Sequence, residues 1–205
     1  MKAAAIDLGT NAFRCLIRNI DSNYDTDIKI RYFVGLGKFL DKNNKLNLPA
    51  KYYSALDNIF NVISQNCVKK IHIVGTSVFR DSLNKNEILL DFKNRYKQEL
   101  NIIDPETEAQ LTSLGVNTLF TNPDSDKIIV DIGGGSTEII FMSQQQIVYF
   151  YSLDLGVIKL YKEFKEINSF SKEKTKQIKD FVKKAIQVSN ISLNNIENYQ
   201  IVFNS

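Results

Sequence analysis

The chain has 205 residues, of which 43% are hydrophobic and 24% charged, so it can bury a core as one large domain or as two smaller lobes. Its net charge of +3, from 26 basic and 23 acidic side chains, is too small to favour a nucleic-acid partner, which needs a concentrated basic face. No apolar run approaches the roughly 20 residues of a membrane helix, and no signal peptide follows Met1, so we expect a cytoplasmic protein without a membrane partner.

Few side chains are available for thiol or imidazole chemistry. Cys15 and Cys67 lie far apart in apolar surroundings and form no C-x-x-C motif, so we expect both to be small buried hydrophobes in a reducing compartment. His72, the one histidine, lies in an apolar run and is predicted to be a strand residue near the sheet surface. A single histidine leaves little room for a Ser-His-Asp site or a histidine-rich zinc site.

The first half of the chain alternates strand and helix patterns. Short apolar runs bounded by glycine or polar residues predict strands, and an apolar stripe of helical period predicts helices. In chain order the predictions are strands at 2–8, 12–20 and 28–34, a helix at 49–66, a strand at 70–75, a helix at 86–97, a strand at 100–103 and a helix from Asp104 to about Leu119. The polar residues 21–27 are expected to form a turn, and Asp104 with Pro105 supplies a helix cap and a first-turn proline.

The pattern starts again after residues 122–125, Asn-Pro-Asp-Ser, which form the one convincing linker. We therefore expect a first lobe at 1–121 and a second at 126–205. The further predictions are strands at 127–132, 136–142 and 146–152, helices at 156–164 and 171–188, and a strand at 199–203. The six lysines of the last helix are expected to form a solvated face, with steering of a polyanion as the alternative.

The two halves open in the same way. Asp7-Leu8-Gly9-Thr10-Asn11 begins one half, and Asp131-Ile132-Gly133-Gly134-Gly135-Ser136-Thr137 begins the other. Each is an apolar strand that ends in an aspartate, followed by a glycine turn with polar side chains and a second strand. We interpret this repetition as an internal duplication.

Both turns have the composition of a phosphate-binding site. Glycine lets backbone N–H groups approach an oxyanion, and the hydroxyl and amide side chains of the turns can add donors. An aspartate at the strand end can hold a divalent cation that bridges to phosphate, so Asp7 and Asp131 are candidate metal ligands.

Two such turns across a cleft would hold one phosphate chain from both sides, although neither is a Walker loop, which opens a helix. Asp-Leu-Gly-Thr alone is equally compatible with an ordinary hairpin, whereas three successive glycines cost backbone entropy and favour a functional reason.

Four stretches, the first of which extends the first glycine turn, follow a family pattern. They are Asp7-Leu8-Gly9-Thr10-Asn11-Ala12-Phe13-Arg14, Gly75-Thr76-Ser77-Val78-Phe79-Arg80-Asp81, Glu106-Thr107-Glu108-Ala109 with Leu114-Gly115-Val116, and Leu155-Gly156-Val157-Ile158-Lys159-Leu160. With the second glycine turn they resemble the exopolyphosphatase and guanosine pentaphosphate phosphohydrolase family of the actin-like ATPase, sugar kinase and Hsp70 superfamily. The resemblance covers essentially the whole chain, in the family's order.

This resemblance implies an α/β fold of duplicated actin-like (ribonuclease H-like) βββαβα lobes with a cleft between them, the second lobe truncated. It also implies hydrolysis of a terminal phosphoanhydride of inorganic polyphosphate or guanosine pentaphosphate with Mg²⁺. Glu108 matches the glutamate proposed to orient or deprotonate the attacking water, and Glu138 matches a second essential acid. The implied phosphate ligands are Gly9, Thr10, Asn11, Arg80, Gly133, Gly134, Gly135, Ser136 and Thr137, with Asp7 and Asp131 on the metal.

The residues themselves support part of this assignment. Glu108 lies near a helix N-terminus, where the helix dipole favours the ionised form that a base requires; a solvated first-turn glutamate is the alternative. Arg80 follows a strand and can fork to phosphate oxygens, or it can pair with neighbouring Asp81. The face on which Glu138 lies depends on strand register, which the sequence leaves open.

Three departures from the family pattern keep alternatives open. Gln110 stands where the family usually has arginine, residues 34–40 follow their segment loosely, and residues 201–205 end the chain without the turn and helices that follow in the family. The chain is then a piece of a longer protein, a naturally short product, or a subunit that a second copy completes, so a homodimer is one expectation. A non-catalytic phosphate-binding module is the alternative function, and a kinase or ATPase ranks last because the adenosine-binding turn of those enzymes is missing from this sequence.

Overall fold

A computed structural model describes residues 1–21, 27–122, 124–164, 171–189, 191 and 199–204. By its contacts the chain divides into two compact units, Met1–Ile103 and Asp104–Ser205, and each is described by itself. The predicted turn at 21–27 and the predicted linker at 122–125 lie partly outside the described residues.

The first unit is built on a five-stranded sheet. Its elements are β1 (Lys2–Leu8), β2 (Ala12–Asn19), β3 (Ile28–Phe33), a 3₁₀ turn (Leu36–Phe39), α1 (Ala50–Gln65), β4 (Lys70–Gly75), α2 (Ser77–Arg80), α3 (Lys85–Tyr96) and β5 (Asn101–Ile102). The strand order is β3-β2-β1-β4-β5. Strands β1, β2 and β3 form an antiparallel meander, and β4 runs parallel to β1. The predicted βββαβα order is confirmed, and the 3₁₀ turn and α2 are additions to it.

The core of this unit lies on one face of the sheet. Alternate strand residues such as Ile6, Phe13 and Ile73 point to this face and are buried, together with Ile59 of α1 and Phe92 of α3. Alternation of this kind follows from the pleat, which sends successive side chains to opposite faces. Because β1 and β4 are parallel, their carboxyl ends lie at the same edge of the sheet, where the first glycine turn begins.

The second unit repeats the same opening. Its elements are α4 (Pro105–Asn117), β6 (Lys127–Ile132), β7 (Thr137–Ser143), β8 (Gln146–Leu153), α5 (Val157–Glu163), α6 (Lys172–Val188) and β9 (Gln200–Asn204). The strand order is β8-β7-β6-β9, with β6, β7 and β8 antiparallel and β9 parallel to β6. This is the order β3-β2-β1-β4 of the first sheet, so the duplication that the sequence predicts is visible in the strand topology.

Helix α4 belongs by its contacts to the second sheet. It packs on β7 and β8, and its Ala109 and Val116 join Ile129, Ile140 and Met142 in one buried cluster. The chain therefore divides between Ile103 and Asp104, ahead of the 122–125 segment that the sequence favoured. As lobes of the family, 1–121 and 126–205 stay a prediction.

One of the two cysteines departs from its predicted environment. Cys15 is buried as expected, but Cys67 is exposed, so that prediction was wrong. Cys67 follows α1 with a φ of 52°, and the amides of Cys67 and Val68 bond the carbonyls of Ser64 and Ile63 at 3.0 and 3.3 Å. This is a Schellman motif, so the helix end, rather than the apolar neighbours in sequence, decides where the thiol lies.

Two other sequence predictions can be compared with the surface of the structure. His72 lies on β4 and is exposed, as predicted for a residue near the sheet surface. In the described part of the chain, no helix combines the length and the apolar character that crossing a membrane requires.

Candidate active site

The two glycine turns have the same backbone geometry. The Gly9 amide donates to the Ala12 carbonyl at 3.0 Å, and the Gly133 amide donates to the Ser136 carbonyl at 2.9 Å. A Cβ at Gly9 would lie 2.9 Å from the Ala12 oxygen, and one at Gly133 would lie 3.1 Å from the Ser136 oxygen. The carbonyl of the third following residue therefore excludes a side chain at Gly9 and leaves little room for one at Gly133.

In the first unit, Asp7, the penultimate residue of β1, has a basic neighbour. Asp7 and Arg14 are direct partners in the β1–β2 ladder, and Arg14 Nη1 donates to Asp7 Oδ2 at 3.3 Å. Both side chains are about two-fifths exposed, at 43% and 38%, so this ion pair contributes at most about 1 kcal/mol to stability. The predicted metal ligand Asp7 thus sits beside a cation, which leaves metal binding by Asp7 a prediction.

Thr10 connects the first turn to the residues after β4. Its buried hydroxyl oxygen accepts a hydrogen bond from the Val78 amide at 3.2 Å. Val78 is part of α2, which ends at Arg80, and Arg80 Nη1 donates to the Ile103 carbonyl at 2.9 Å. Thr10 and α2 are therefore brought together, while part of the Arg80 guanidinium is committed to the backbone.

In the second unit, strand register places two acids side by side. Asp131 and Glu138 are direct partners in the β6–β7 ladder, so their side chains lie on the same face of the sheet. Glu138 is 2% exposed, and Ser152 of β8 donates to its Oε1 at 3.0 Å. The question that the sequence left open is thereby answered: Glu138 is buried beside Asp131.

Helix α4 contacts one of these acids through Thr112. Thr112 Oγ1 donates to Asp131 Oδ2 at 3.3 Å, and Glu108 precedes Thr112 by four residues. Residues with this spacing lie on one face of a helix, one turn apart, so half-buried Glu108 shares the face that reaches Asp131. The predicted cap is also present, because Asp104 Oδ1 accepts the Thr107 amide at 2.7 Å next to Pro105.

The polar residues of the second turn are largely enclosed. Ser136 and Thr137 are each 8% exposed. Thr137 Oγ1 donates to the Leu155 carbonyl at 2.5 Å, and a hydroxyl has only one proton to donate. In this arrangement the Thr137 hydroxyl supports the turn, and its role as a phosphate ligand stays a prediction.

Asp131 and Glu138 supply the oxygen ligands that Mg²⁺ prefers. Among the described residues, no group of three or more histidine, cysteine, aspartate or glutamate side chains is arranged to hold a metal ion. Mg²⁺ is commonly bound through one or two carboxylates together with waters and substrate phosphates. The carboxylate pair therefore fits a magnesium ion that also binds substrate.

Two residues of this site did not emerge from the sequence. Thr112 and Ser152 each donate a hydroxyl hydrogen bond to an acid. Ser152 could be found only after the β7–β8 register was known, in which it is the partner of Glu138. Thr112 carries a weak signal, since it lies one helical turn after Glu108.

Comparison with models of protein families shows to which family this chain belongs. The Ppx/GppA phosphatase family matches residues 28–195, which include Glu108 and the whole second turn. The chain belongs to the Ppx/GppA phosphatase family. The resemblance noted from the motifs is thus confirmed, and the first turn lies ahead of the matched residues.

Several curated proteins are similar in sequence to this chain. A bifunctional 3-dehydroquinate synthase/phosphatase of Fusobacterium nucleatum is 29% identical over 201 residues, covering 90% of this chain and 30% of the relative. A guanosine-5'-triphosphate,3'-diphosphate pyrophosphatase of Vibrio cholerae is 32% identical over 167 residues, covering 80% of this chain and 33% of the relative. A putative exopolyphosphatase of Haemophilus influenzae is 32% identical over 141 residues, covering 67% of this chain and 43% of the relative. The chain thus spans between 30% and 43% of the length of these relatives.

Solved structures of Ppx/GppA proteins have the same fold. An exopolyphosphatase from Cytophaga hutchinsonii superposes with a TM-score of 0.87 at 22% identity, covering 99% of this chain and 66% of that chain. The Ppx/GppA family member of Aquifex aeolicus gives a TM-score of 0.74 at 23% identity, covering 99% of this chain and 65% of that chain. At these identities the likeness establishes the fold.

Proposed function

We propose that this chain carries the site of a Mg²⁺-dependent phosphoanhydride hydrolase, which releases the terminal phosphate of inorganic polyphosphate or of guanosine pentaphosphate. One observation carries the proposal: Asp131 and Glu138 lie side by side next to a glycine turn, below the helix that presents Glu108. Membership of the Ppx/GppA phosphatase family and relatives named as a guanosine-5'-triphosphate,3'-diphosphate pyrophosphatase and a putative exopolyphosphatase support this substrate class.

The proposed division of labour follows from the chemistry of each group. Phosphoryl transfer depends mainly on neutralising phosphate charge and on orienting the nucleophile. The amides of each glycine turn would bind phosphate oxygens, and the guanidinium of Arg80 would add positive charge. Asp131 and Glu138 would hold Mg²⁺, which when bound neutralises developing negative charge on the phosphates.

Glu108 is the proposed base. Its position in the first turn of α4 places it near the positive end of the helix dipole, which favours a charged carboxylate. It would hold the attacking water and accept its proton as the water oxygen bonds to the terminal phosphorus. The bridging P–O bond would break in the same reaction, so that orthophosphate is released and the shortened phosphate chain leaves with the bridging oxygen. Thr112 and Ser152 would act as positioning residues, because each fixes one acid through a hydroxyl hydrogen bond.

Phosphate release tests this function. The purified chain is incubated with inorganic polyphosphate and, separately, with guanosine pentaphosphate, each with Mg²⁺ and with chelator. We expect orthophosphate to appear with at least one substrate, and only when Mg²⁺ is present. Binding of both substrates without release would instead support the non-catalytic phosphate-binding module, and absence of binding would contradict the proposal altogether.

The proposed reaction is consistent with a cytoplasmic location, where both substrates would be met. Fractionation of cells that express the chain with a tag tests this location. Recovery in the soluble cytoplasmic fraction is expected.

A further inference from the structure

The first turn of α5 holds the carbonyl side of the second glycine turn. The Val157 amide donates to the Gly133 carbonyl at 3.0 Å, and the Ile158 amide donates to the Gly134 carbonyl at 2.8 Å. These are amides that a helix leaves without partners at its N-terminus. Here they donate hydrogen bonds to the carbonyls of two consecutive peptide groups of the turn.

These two hydrogen bonds decide where the turn's own amides point. The described peptide bonds are all trans, and in a trans peptide the C=O and the N–H point in opposite directions. The amides of Gly134 and Gly135 belong to the peptides whose carbonyls are held, so both point away from α5. Within the described part of the chain, neither amide donates to a backbone acceptor, and both remain available to an anion.

Holding the carbonyls also strengthens these donors. A peptide whose carbonyl accepts a hydrogen bond is polarised, and its N–H becomes a better donor. Successive amides aimed in one direction form the kind of concavity that binds phosphate.

Gly156 makes this arrangement possible by leaving space. A Cβ at Gly156 would lie 2.5 Å from the carbon and the oxygen of Gly134 and 2.5 Å from the nitrogen of Gly135. Its φ is −138°, a conformation that any residue can adopt. Glycine is therefore required because the Gly134–Gly135 peptide lies against it, and an alanine would push that peptide, which carries the Gly135 amide, aside.

The first unit holds its turn in a related way. After β3, the amides of Gly35 and Gly37 donate to the carbonyls of Asn11 and Thr10 at 2.8 and 2.9 Å. Gly37 follows buried Leu36 just as Gly156 follows buried Leu155. In both units, a Leu-Gly pair after the third strand begins the helical turn that supports the glycine turn.

We infer that Gly156 and the first turn of α5 position the Gly134 and Gly135 amides for phosphate binding. The inference rests on the proposed function, because it assigns a supporting residue to the same site. Gly156 is a positioning residue in this account, since it acts through the turn and does not itself contact phosphate.

The test compares two glycine-to-alanine variants of the full chain. Gly156→Ala forces a Cβ against the turn, whereas Gly115→Ala adds a Cβ that meets nothing within 4 Å and improves helix propensity. Affinity for medium-chain inorganic polyphosphate is measured by calorimetry, and folding is checked by circular dichroism and thermal denaturation. For Gly156→Ala, measured well below the Tm of the variant, we expect the affinity to fall by about tenfold to a hundredfold. This is the range for lost hydrogen bonds to a charged group. Gly115→Ala should bind as the wild type does.

The outcomes separate this inference from the proposed function. If the wild type binds neither inorganic polyphosphate nor guanosine pentaphosphate, the proposed function fails. If the wild type binds and folded Gly156→Ala binds equally well, the inference alone is overturned, because a purely structural glycine would change Tm and leave affinity intact.

A measurement on the wild type covers the case in which Gly156→Ala does not fold. Amide NMR shifts are followed as polyphosphate is added. We expect the largest changes at Gly134 and Gly135, with the amides of Val157 and Ile158 protected from hydrogen exchange throughout. Direct binding at Val157 and Ile158, seen as larger shifts there than at the glycines, would contradict the inference.

Discussion

Glu138 lies directly across the β6–β7 ladder from Asp131, and it is 2% exposed. Like charges in facing positions of a sheet destabilise it, and a buried carboxylate needs compensating partners. The hydroxyls of Ser152 and Thr112 provide part of that compensation. A cation bound between carboxylates and phosphates would provide more, which is why we regard this pair as the centre of the site.

The first prediction concerns cooperation between metal and substrate. Because the described residues offer a carboxylate pair but no cluster of three metal-ligating side chains, we expect Mg²⁺ alone to raise the Tm little. Mg²⁺ with polyphosphate should raise the Tm by more than the sum of the separate effects, since a ligand that binds only the folded state stabilises it. Thermal denaturation with each ligand alone and with both measures this difference.

Two variants serve as test and control for that experiment. Asp131→Asn should abolish the extra stabilisation, whereas Asp180→Asn on the exposed face of α6 should keep it. A strong rise in Tm with Mg²⁺ alone, unchanged in Asp131→Asn, would place the metal elsewhere.

The second prediction concerns the hydroxyl of Thr10. Thr10→Val keeps the shape of the side chain but removes the acceptor of the Val78 amide, and an unsatisfied buried donor costs about 1–3 kcal/mol. We therefore expect Thr10→Val to lower the free energy of unfolding by that amount in urea denaturation. Thr10→Ser retains the oxygen and should lose less than half as much, so equal losses in both variants would argue against the hydrogen bond.

Much of this fold can be predicted from the sequence because its strands are short apolar runs with clear ends. The predicted bounds of β1 at 2–8, β4 at 70–75 and β6 at 127–132 agree with the structure. Each of these strands is central and buried on at least one face, and each ends at a glycine or next to one, so local composition marks both its length and its end.

Other features depend on contacts between residues distant in sequence. The face of Glu138 requires the β6–β7 register, and α2 is a single turn whose Val78 amide is held by Thr10, 68 residues earlier. Cys67 lies outside the core because α1 ends in a left-handed residue at that position. Hydrophobic patterning describes single segments, so it cannot report hydrogen bonds that link two of them.

The third prediction concerns the two thiols. Burial raises the pKa of Cys15 to about 11, and the thiolate is the reactive form. We expect one thiol per chain, that of exposed Cys67, to react rapidly with a thiol reagent at pH 8, and a second only after unfolding. Mass spectrometry of the labelled peptides identifies the site, and Cys67→Ser should leave the native chain nearly unreactive.

The raised pKa of Cys15 also makes the stability of the fold depend on pH. The thiol ionises near its ordinary value of 9.0 when the chain is unfolded and near 11 when it is folded. Between these values the folded state binds more protons, so this group's contribution to stability declines as the pH rises. Cys15→Ala should remove that part of the decline between pH 9 and 11.

The fourth prediction concerns the end of α1. Cys67 adopts a φ of 52° at the position where helices ending in this motif usually have glycine, and the left-handed conformation costs a residue with a side chain roughly 1–2 kcal/mol. After allowing for the greater entropy of glycine in the unfolded chain, we expect Cys67→Gly to stabilise the protein by about 0.5–1 kcal/mol. Urea denaturation measures the change, with Cys67→Ala as the control that removes the thiol but keeps the strain.

The most direct test of the catalytic account compares two glutamates in one helix turn. Glu106 and Glu108 both lie in the first turn of α4, but Glu106 is exposed whereas half-buried Glu108 shares the face of Thr112. The measurement is kcat for Mg²⁺-dependent phosphate release by Glu108→Gln and Glu106→Gln, on the substrate that the wild type cleaves. We predict a loss of about 10²–10⁴-fold for Glu108→Gln, the range for a general base, and a change within about twofold for Glu106→Gln. A Glu108→Gln variant that turns over as fast as the Glu106→Gln variant would contradict the account.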